Sequence, residues 1–212
     1  MSELAANDGA PAASHPVPYD PVGGKLGMWL FLFTEVLLFG TLFLAFGVYL
    51  YGYTWQFRRG SAALDIPIGA INTLILLTSS LTMALAIAAL QRGRRILARR
   101  FLWATIACAL AFLVIKGFEW NGKFHHGLYP GGERLAELTR GEQVFFGLYF
   151  TMTGLHALHV LVGVVVILWA MRLVAIGRVS PERSVFLENT GLYWHLVDLV
   201  WIYLFPLFYL IS

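Results

Sequence analysis

The chain has 212 residues, of which 58% are hydrophobic and 13% are charged, about half the charged share that is usual in a soluble protein. This composition excludes an ordinary soluble domain and favours a protein that lies in a lipid bilayer. The net charge of +3 is too small to indicate binding to nucleic acid. The single cysteine, Cys108, excludes an intrachain disulfide and a site built from several cysteine ligands.

The segment before the first apolar run, residues 1–24, is predicted to be a flexible N-terminal tail, because it has no hydrophobic periodicity. It lacks the basic region, the short apolar region and the cleavage site of a signal peptide. The remaining residues, 25–212, contain no internal repeat and are predicted to form one transmembrane domain.

Five apolar runs follow the tail, and each is long enough to cross the roughly 30 Å of bilayer hydrocarbon as an α-helix. Backbone groups in lipid need hydrogen bonds within their own segment, so each run must be helical. The predicted fold is therefore all-α, a polytopic bundle of five transmembrane helices at residues 26–51, 66–90, 101–120, 144–173 and 185–211.

The arginines between the runs predict an orientation, since positive charge collects in cytoplasmic loops. They concentrate between the second and third runs and between the fourth and fifth: Arg92, Arg94, Arg95, Arg99, Arg100, Arg172, Arg178 and Arg183. We therefore expect these loops and the N-terminus inside, and the C-terminus outside. Arg58 and Arg59 follow the first run and count against this orientation, but they are outnumbered.

Several ionisable residues lie within the apolar runs. Glu35 sits in the middle of the first run, where a charged carboxylate costs roughly 2.5–3.5 kcal/mol to insert. We therefore expect it to be neutral or to have a partner inside the bundle. Counting 1.5 Å per helical residue brings His159, His195 and Asp198 to a similar depth, and His156 lies one turn from His159. The predicted buried polar cluster consists of Glu35, His156, His159, His195 and Asp198. Within it, we expect Glu35 to bond to His159 or His195, and Asp198, one turn after His195, to hold that imidazole in one tautomer.

The fourth and fifth runs carry these residues on one side of each helix. A stripe at helical spacing on the fifth run is expected to point into the bundle and contains Glu188, Gly191, His195, Asp198 and Ile202. On the fourth run, His156 and His159 share a face with Gly163. Both faces are predicted to meet other helices.

Three further polar residues lie outside this cluster. Asn72, on the second run, shares a face with Leu76, Ser79 and Met83. Small and hydroxyl residues of this kind indicate a helix–helix contact, and a polar channel lining is the alternative. Lys116 and Glu119 are three residues apart, which predicts a local ion pair near the outer interface.

Four interpretations of the buried cluster are open from the residues alone. His159 and His195 are candidates for the two ligands of a heme, which needs histidines on facing helices. Glu35, with the histidines and Asp198, suggests a di-metal site, although the Glu-x-x-His motif of such sites is absent. The third interpretation is a proton or ion path. The fourth is a hydrogen-bonded cluster that holds the helices in register.

Three ordered motifs resemble subunit III of the heme–copper oxidases. Residues 34–39, TEVLLF, resemble the Ser/Thr-Glu-Val-apolar signature of that family. Residues 153–160, TGLHALHV, look like its Thr-Gly-aromatic-His-Gly-Leu-His-Val, with Leu155 and Ala157 in place of the aromatic residue and the glycine. Residues 193–201, YWHLVDLVW, are similar to its Tyr-Trp-His-Phe-Val-Asp-Val-Val-Trp. The likeness runs from about Lys25 to the C-terminus, and Asn72-Thr73 opens the following helix in the same way.

The likeness is to the five-helix bacterial form, found with both cytochrome c and quinol oxidases. It implies a subunit with no catalytic residue, metal ligand, heme or copper of its own. The implied partners are the catalytic subunit I, which holds the hemes and copper, subunit II, other small membrane subunits and phospholipid. The implied location is the bacterial plasma membrane, and the implied role is to stabilise subunit I and support proton uptake during oxygen reduction.

Two other functions are considered. An accessory protein of a nitric-oxide reductase shares the same likeness. A stand-alone membrane transporter belongs to another class and follows from the proton-path interpretation.

Overall fold

The computed structural model describes residues 21–211, and within that range the chain is helical with no strand. The helices are α1 (Pro21–Gly52), α2 (Thr54–Ala62), α3 (Ile66–Gln91), α4 (Arg95–His125), α5 (Glu133–Glu137), α6 (Arg140–Ala175) and α7 (Val185–Tyr209). A single 3-10 turn at Pro181–Arg183 precedes α7. Five of the helices, α1, α3, α4, α6 and α7, are long and apolar enough to cross a membrane, which confirms the five predicted spans.

Contacts at the helix ends show how the bundle is tied together. Where α1 and α7 begin, Lys25 forms an ion pair of 3.0 Å with Glu188, and Asn189 donates a hydrogen bond to the carbonyl of Gly24. We call this the arginine-rich end, because the loops after α3 and α6 carry their arginines there. At the opposite end, Lys123 of α4 donates to the carbonyl of Ala63, just after α2.

Three helices, α1, α4 and α6, begin earlier than the sequence predicted. α4 starts at Arg95 rather than at residue 101, so that Arg95, Arg99 and Arg100 lie in its first turns and not in a loop. Long arginine side chains can follow the helix outward and keep their charge in water. α6 starts at Arg140 rather than at 144, because the side chains of Thr139 and Glu142 form a capping box.

Other boundaries also differ, and α4 ends at His125 rather than at residue 120. α1 begins at Pro21, so residues 21–24 of the predicted tail are helical, and residues 1–20 lie outside the described part of the chain. α7 ends at Tyr209 rather than at residue 211. The last two predicted residues therefore fall beyond the helix.

The sequence did not predict α2, a short helix after the first span. Its residues Phe57 and Gly60 are buried against the ring of Phe145 on α6. A side chain at position 60 would collide with that ring, so glycine is required for the close approach. The segment is too short and too polar for the hydrophobic pattern that revealed the longer helices.

Two predicted helix faces can now be compared with the packing. Asn72, Leu76, Ser79 and Met83 are all buried on α3, where Trp194 of α7 donates to Ser79 at 3.0 Å. The predicted helix–helix contact at this face is therefore confirmed. On α7, Gly191 and Asp198 are buried, but Ile202 is 44% exposed, against the prediction. A stripe with 3.5-residue spacing drifts around a helix by about 20° per heptad, so it has turned outward by Ile202.

Candidate functional site

Glu35 of α1 is bonded to His159 of α6. Glu35 lies on the same face as the buried residues Leu32 and Phe39, which directs it towards the bundle. Its Oε2 is 2.9 Å from Nε2 of His159. Of the two partners that we expected for Glu35, His159 and His195, the structure has the first.

The proton positions in this pair follow from the second nitrogen of His159. Nδ1 is 2.8 Å from the carbonyl oxygen of Leu155, one turn earlier on α6. A carbonyl oxygen only accepts, so Nδ1 carries a proton and donates it. One further proton then lies between Nε2 of His159 and Oε2 of Glu35. Either a neutral carboxyl donates to the imidazole, or an imidazolium donates to the carboxylate.

His159 is held in place by two neighbours. Tyr193 of α7 donates to the backbone carbonyl of His159 at 3.1 Å, and the ring of Phe39 meets the imidazole edge-on with centroids 5.2 Å apart. α1, α6 and α7 therefore meet at this histidine.

His195 of α7 has a different partner from those predicted. Its Nδ1 lies 2.6 Å from the hydroxyl of Ser80 on α3. Asp198, one turn later, is only 3% exposed, and neither of its carboxylate oxygens has a hydrogen-bond partner. The expectation that Asp198 would hold the His195 imidazole in one tautomer is wrong, because Ser80 occupies Nδ1. Ser80 was missed, since nothing in the sequence distinguishes it from its hydroxyl neighbours Thr78 and Ser79.

Two other predicted residues are buried without a polar partner. His156 is fully buried between the rings of Phe112 and Trp201, with centroids 5.5 and 5.2 Å away, and neither ring nitrogen is bonded. Both side-chain polar atoms of Asn72 are also unbonded. The five residues of the predicted cluster thus form the pair Glu35–His159, the pair His195–Ser80, and two separate buried groups, His156 and Asp198.

Glu188 lies outside this buried layer, at the arginine-rich end. It pairs with Lys25 and accepts hydrogen bonds from Gln91 at 3.2 Å and Ser184 at 2.6 Å. It therefore joins the ends of α1, α3 and α7.

Lys116 and Glu119 form the predicted ion pair, at 3.1 Å, but their environment differs from the prediction. Their side chains are 2% and 3% exposed, so the pair is enclosed by the bundle and is not a local pair on the surface of α4. Nζ of Lys116 also donates to the hydroxyls of Tyr149 at 2.9 Å and Tyr209 at 2.7 Å. Both hydroxyls donate in turn to Oε1 of Glu119 at 2.6 Å. We call these four residues the lysine–tyrosine network.

The network has one consistent set of charges. Each tyrosine has a single proton, which it gives to Glu119, so each hydroxyl oxygen must accept from Lys116. All three protons of an ammonium group are then used, and Glu119 accepts as a carboxylate. The network is a closed, charge-separated unit that joins α4, α6 and α7. Sequence reasoning missed Tyr149 and Tyr209, because partners on other helices are not marked by any spacing along the chain.

In chemical terms, these groups can hold and exchange protons. Within residues 21–211, no group of three or more His, Cys, Asp or Glu side chains is placed to hold a metal ion. His159 and His195, the candidate heme ligands, have their bonded nitrogens directed to Glu35 and Ser80.

Comparison with known proteins gives consistent matches. The family described as cytochrome c oxidase subunit III matches residues 12–212. The chain is 32% identical over 188 residues to a probable quinol oxidase subunit 3 of Staphylococcus saprophyticus, covering 89% of each chain. It is 31% identical over 194 residues to cytochrome c oxidase subunit 3 of Thermostichus vulcanus, covering 88% of this chain and 87% of that one.

A third relative is a longer protein. The heme–copper oxidase subunit I+III of Aeropyrum pernix is 30% identical over 202 residues, which cover 92% of this chain but 23% of that protein. The chain therefore corresponds to about a quarter of this relative.

The lysine–tyrosine network leads to a first prediction. Replacing Lys116 with Met should destabilise the folded chain by about 3–5 kcal/mol, because it leaves the buried carboxylate of Glu119 without its counter-charge. The double variant Lys116→Met, Glu119→Leu should recover most of that loss. The free energy of unfolding in a titration with denaturing detergent measures both effects.

The matched control is Lys25→Met. Lys25 is 51% exposed in its pair with Glu188, so its loss should cost no more than about 1 kcal/mol. If Lys116→Met costs no more than this control, the buried network does not stabilise the bundle.

Proposed function

Because this chain belongs to the cytochrome c oxidase subunit III family, we propose that it packs against and stabilises the catalytic subunit I of its oxidase. The chain is a subunit III of a heme–copper terminal oxidase and a multi-pass membrane protein with five apolar helices. We propose that it also supports proton uptake while oxygen is reduced in aerobic respiration.

The observation that carries this proposal is the match to the fused relative. In Aeropyrum pernix, a protein named as subunit I+III contains a region 30% identical to this chain over 202 residues. Because the two subunits are joined in one polypeptide there, they lie next to each other in the membrane. Without a hydrophobic driving force between helices in lipid, their association depends on packing and shape. The many outward-facing apolar side chains of α1 and α4, such as Phe33 and Phe118, suit such packing.

The redox centres are proposed to lie in partner subunits. This chain would hold no heme or copper, and phospholipid would bind on its apolar outer surface. Subunit II and smaller membrane subunits are proposed as further partners. The relatives include both quinol and cytochrome c oxidase subunits, so the electron donor belongs to the rest of the complex.

The two alternatives receive no support from the comparisons, whose matches are named as oxidase subunits. These alternatives are an accessory protein of a nitric-oxide reductase and a stand-alone transporter.

The location is proposed to be the bacterial plasma membrane, with the arginine-rich end in the cytoplasm. Arg92, Arg94 and Arg178 are exposed at that end, and positive residues favour the cytoplasmic side. The N-terminus then lies inside and the C-terminus outside.

The proposed complex is tested by purifying it through an affinity tag on this chain in mild detergent. A larger membrane polypeptide with a heme spectrum should co-purify. After the complex is dissociated, the fraction with this chain alone should contain neither heme nor copper. Recovery of the chain without any oxidase subunit, or with its own heme, contradicts the proposal.

The orientation is tested with single cysteines in a Cys108→Ser background. Arg92→Cys and Glu137→Cys both place the thiol at exposed positions, at opposite ends of the bundle. In intact spheroplasts, a membrane-impermeant thiol reagent should label Glu137→Cys and leave Arg92→Cys unlabelled until the membrane is opened. The reverse pattern would invert the topology.

A further prediction concerns Glu35. Glu35→Gln keeps the shape of the side chain and can donate from its amide to Nε2 of His159. This variant should change neither the retention of the chain in the complex nor oxygen reduction by a measurable amount. Glu35→Ala leaves that nitrogen unpaired, and a hydrogen bond of this kind contributes about 0.6–2 kcal/mol. The chain should then be retained less well in the complex, and oxygen reduction should start at a normal rate but decay faster during turnover.

The control for this experiment is Thr34→Val on the same helix. The hydroxyl of Thr34 is exposed and bonds only to the backbone of α1 at Phe31, so its loss should change neither retention nor decay. Immediate loss of activity in Glu35→Gln would make the carboxyl an obligatory proton carrier and would overturn the structural role.

A further inference from the structure

Asp198 is a buried acid whose hydrogen-bonding needs are not met by the protein. It is 3% exposed, and neither carboxylate oxygen has a partner. An unpaired buried polar group costs several kcal/mol in an apolar medium. In folded proteins such groups are usually satisfied by ordered water. The side chain of Ser80 on α3 lies near the Asp198 carboxyl group.

A groove leads from the arginine-rich end towards this acid. It encloses about 300 Å³ between α1, α3 and α7. Its lining is polar at both ends of its length: Lys25, Glu188 and Asn189 at the helix ends, and His195 about 10 Å further along α7 at 1.5 Å per residue.

The groove also contains an acceptor without a partner. Oδ1 of Asn189 is buried and unbonded, while its amide nitrogen bonds to Gly24. Gly191 lines the groove between Asn189 and His195, and a side chain there would meet Cδ1 of Ile87. The space therefore depends on the missing side chain, and its unsatisfied polar atom suits water rather than an acyl chain.

His195 connects the groove to the acid. Its ring lines the groove, and its Nδ1 is bonded to Ser80, which lies beside Asp198. The hydroxyl of Ser80 lies close to the Asp198 carboxyl group, but neither carboxylate oxygen meets the geometry of a hydrogen bond. A single water molecule bonded to both side chains would connect them and would satisfy the carboxyl group.

We infer that the groove is a water inlet and that Asp198 is a proton-exchanging carboxyl group reached through His195 and Ser80. The ligand of this site is water. In the exchange, a carboxyl proton of Asp198 is replaced by one from water, and the water molecule takes up the proton released, so that no net charge enters the bundle. This inference goes beyond the proposed function and does not depend on whether the oxidase rate changes.

The test is infrared spectroscopy of the whole complex in lipid nanodiscs during transfer from H₂O to D₂O. A protonated carboxyl group has a C=O stretching band that shifts when its proton becomes a deuteron. Asp198→Asn, which keeps the shape, identifies the Asp198 band by its loss. We expect this band in the unmodified complex and expect it to shift without unfolding of the bundle.

The route is tested by blocking the groove. Leu192 lines it, and Leu192→Trp should slow the exchange of Asp198 by about tenfold or more, because exchange then requires local opening. The matched control is Leu199→Trp, a change of the same size on the same helix at a position that is 48% exposed. It should leave the exchange rate unchanged.

Two spectroscopic results would overturn the inference. One is the absence of an Asp198 band that shifts in D₂O. The other is an equal exchange rate in Leu192→Trp and Leu199→Trp, which would mean that protons arrive by another way. A high-resolution map of the complex gives an independent measurement: density for water between Asp198 and Ser80 supports the inlet, and a direct bond between the two side chains contradicts it.

Discussion

Water is absent from the hydrocarbon core of a bilayer, and this constraint determines how the chain is built. Backbone groups must bond within each span, which makes the five spans helical. Polar side chains must then find partners on neighbouring helices. Glu35 is hydrogen-bonded to His159, Ser80 to His195, and Lys116 to Glu119 and two tyrosines. Each of these contacts joins helices that lie apart in the sequence or fixes how they are rotated.

The contacts lie at different levels along the bundle. The Lys25–Glu188 pair joins the helices at the arginine-rich end. Asp198, ten residues after Glu188, lies about 15 Å deeper. The lysine–tyrosine network includes Tyr209, the last residue of α7, and so holds the opposite end. A helix fixed at several levels cannot slide or rotate without breaking a polar bond. Such a rigid bundle presents an unchanging apolar surface, as a subunit that stabilises a larger partner requires.

The sequence predicted some of these features well, for physical reasons. The spans are long and apolar, so their number followed from hydropathy alone. That Glu35 would meet His159 or His195 followed from depth, because a helix advances by a constant 1.5 Å per residue. Rotation about each helix axis is not set by depth, and this is why Ser80 was missed as the partner of His195. Tyr149 and Tyr209 were missed for the same reason. α2 was missed because it is too short and too polar to show the hydrophobic pattern of a membrane span.

The spacing of Lys116 and Glu119 on one helix has a consequence for biosynthesis. α4 is made before α6 and α7, so Tyr149 and Tyr209 do not yet exist when α4 enters the membrane. At that stage Glu119, one turn away on the same helix, is the one member of the later network that can neutralise Lys116. The helix can therefore partition into lipid as an internally neutral segment. The two tyrosines then enclose a charge pair that is already in place. The lysine–tyrosine network is therefore completed in the order in which its residues are synthesised.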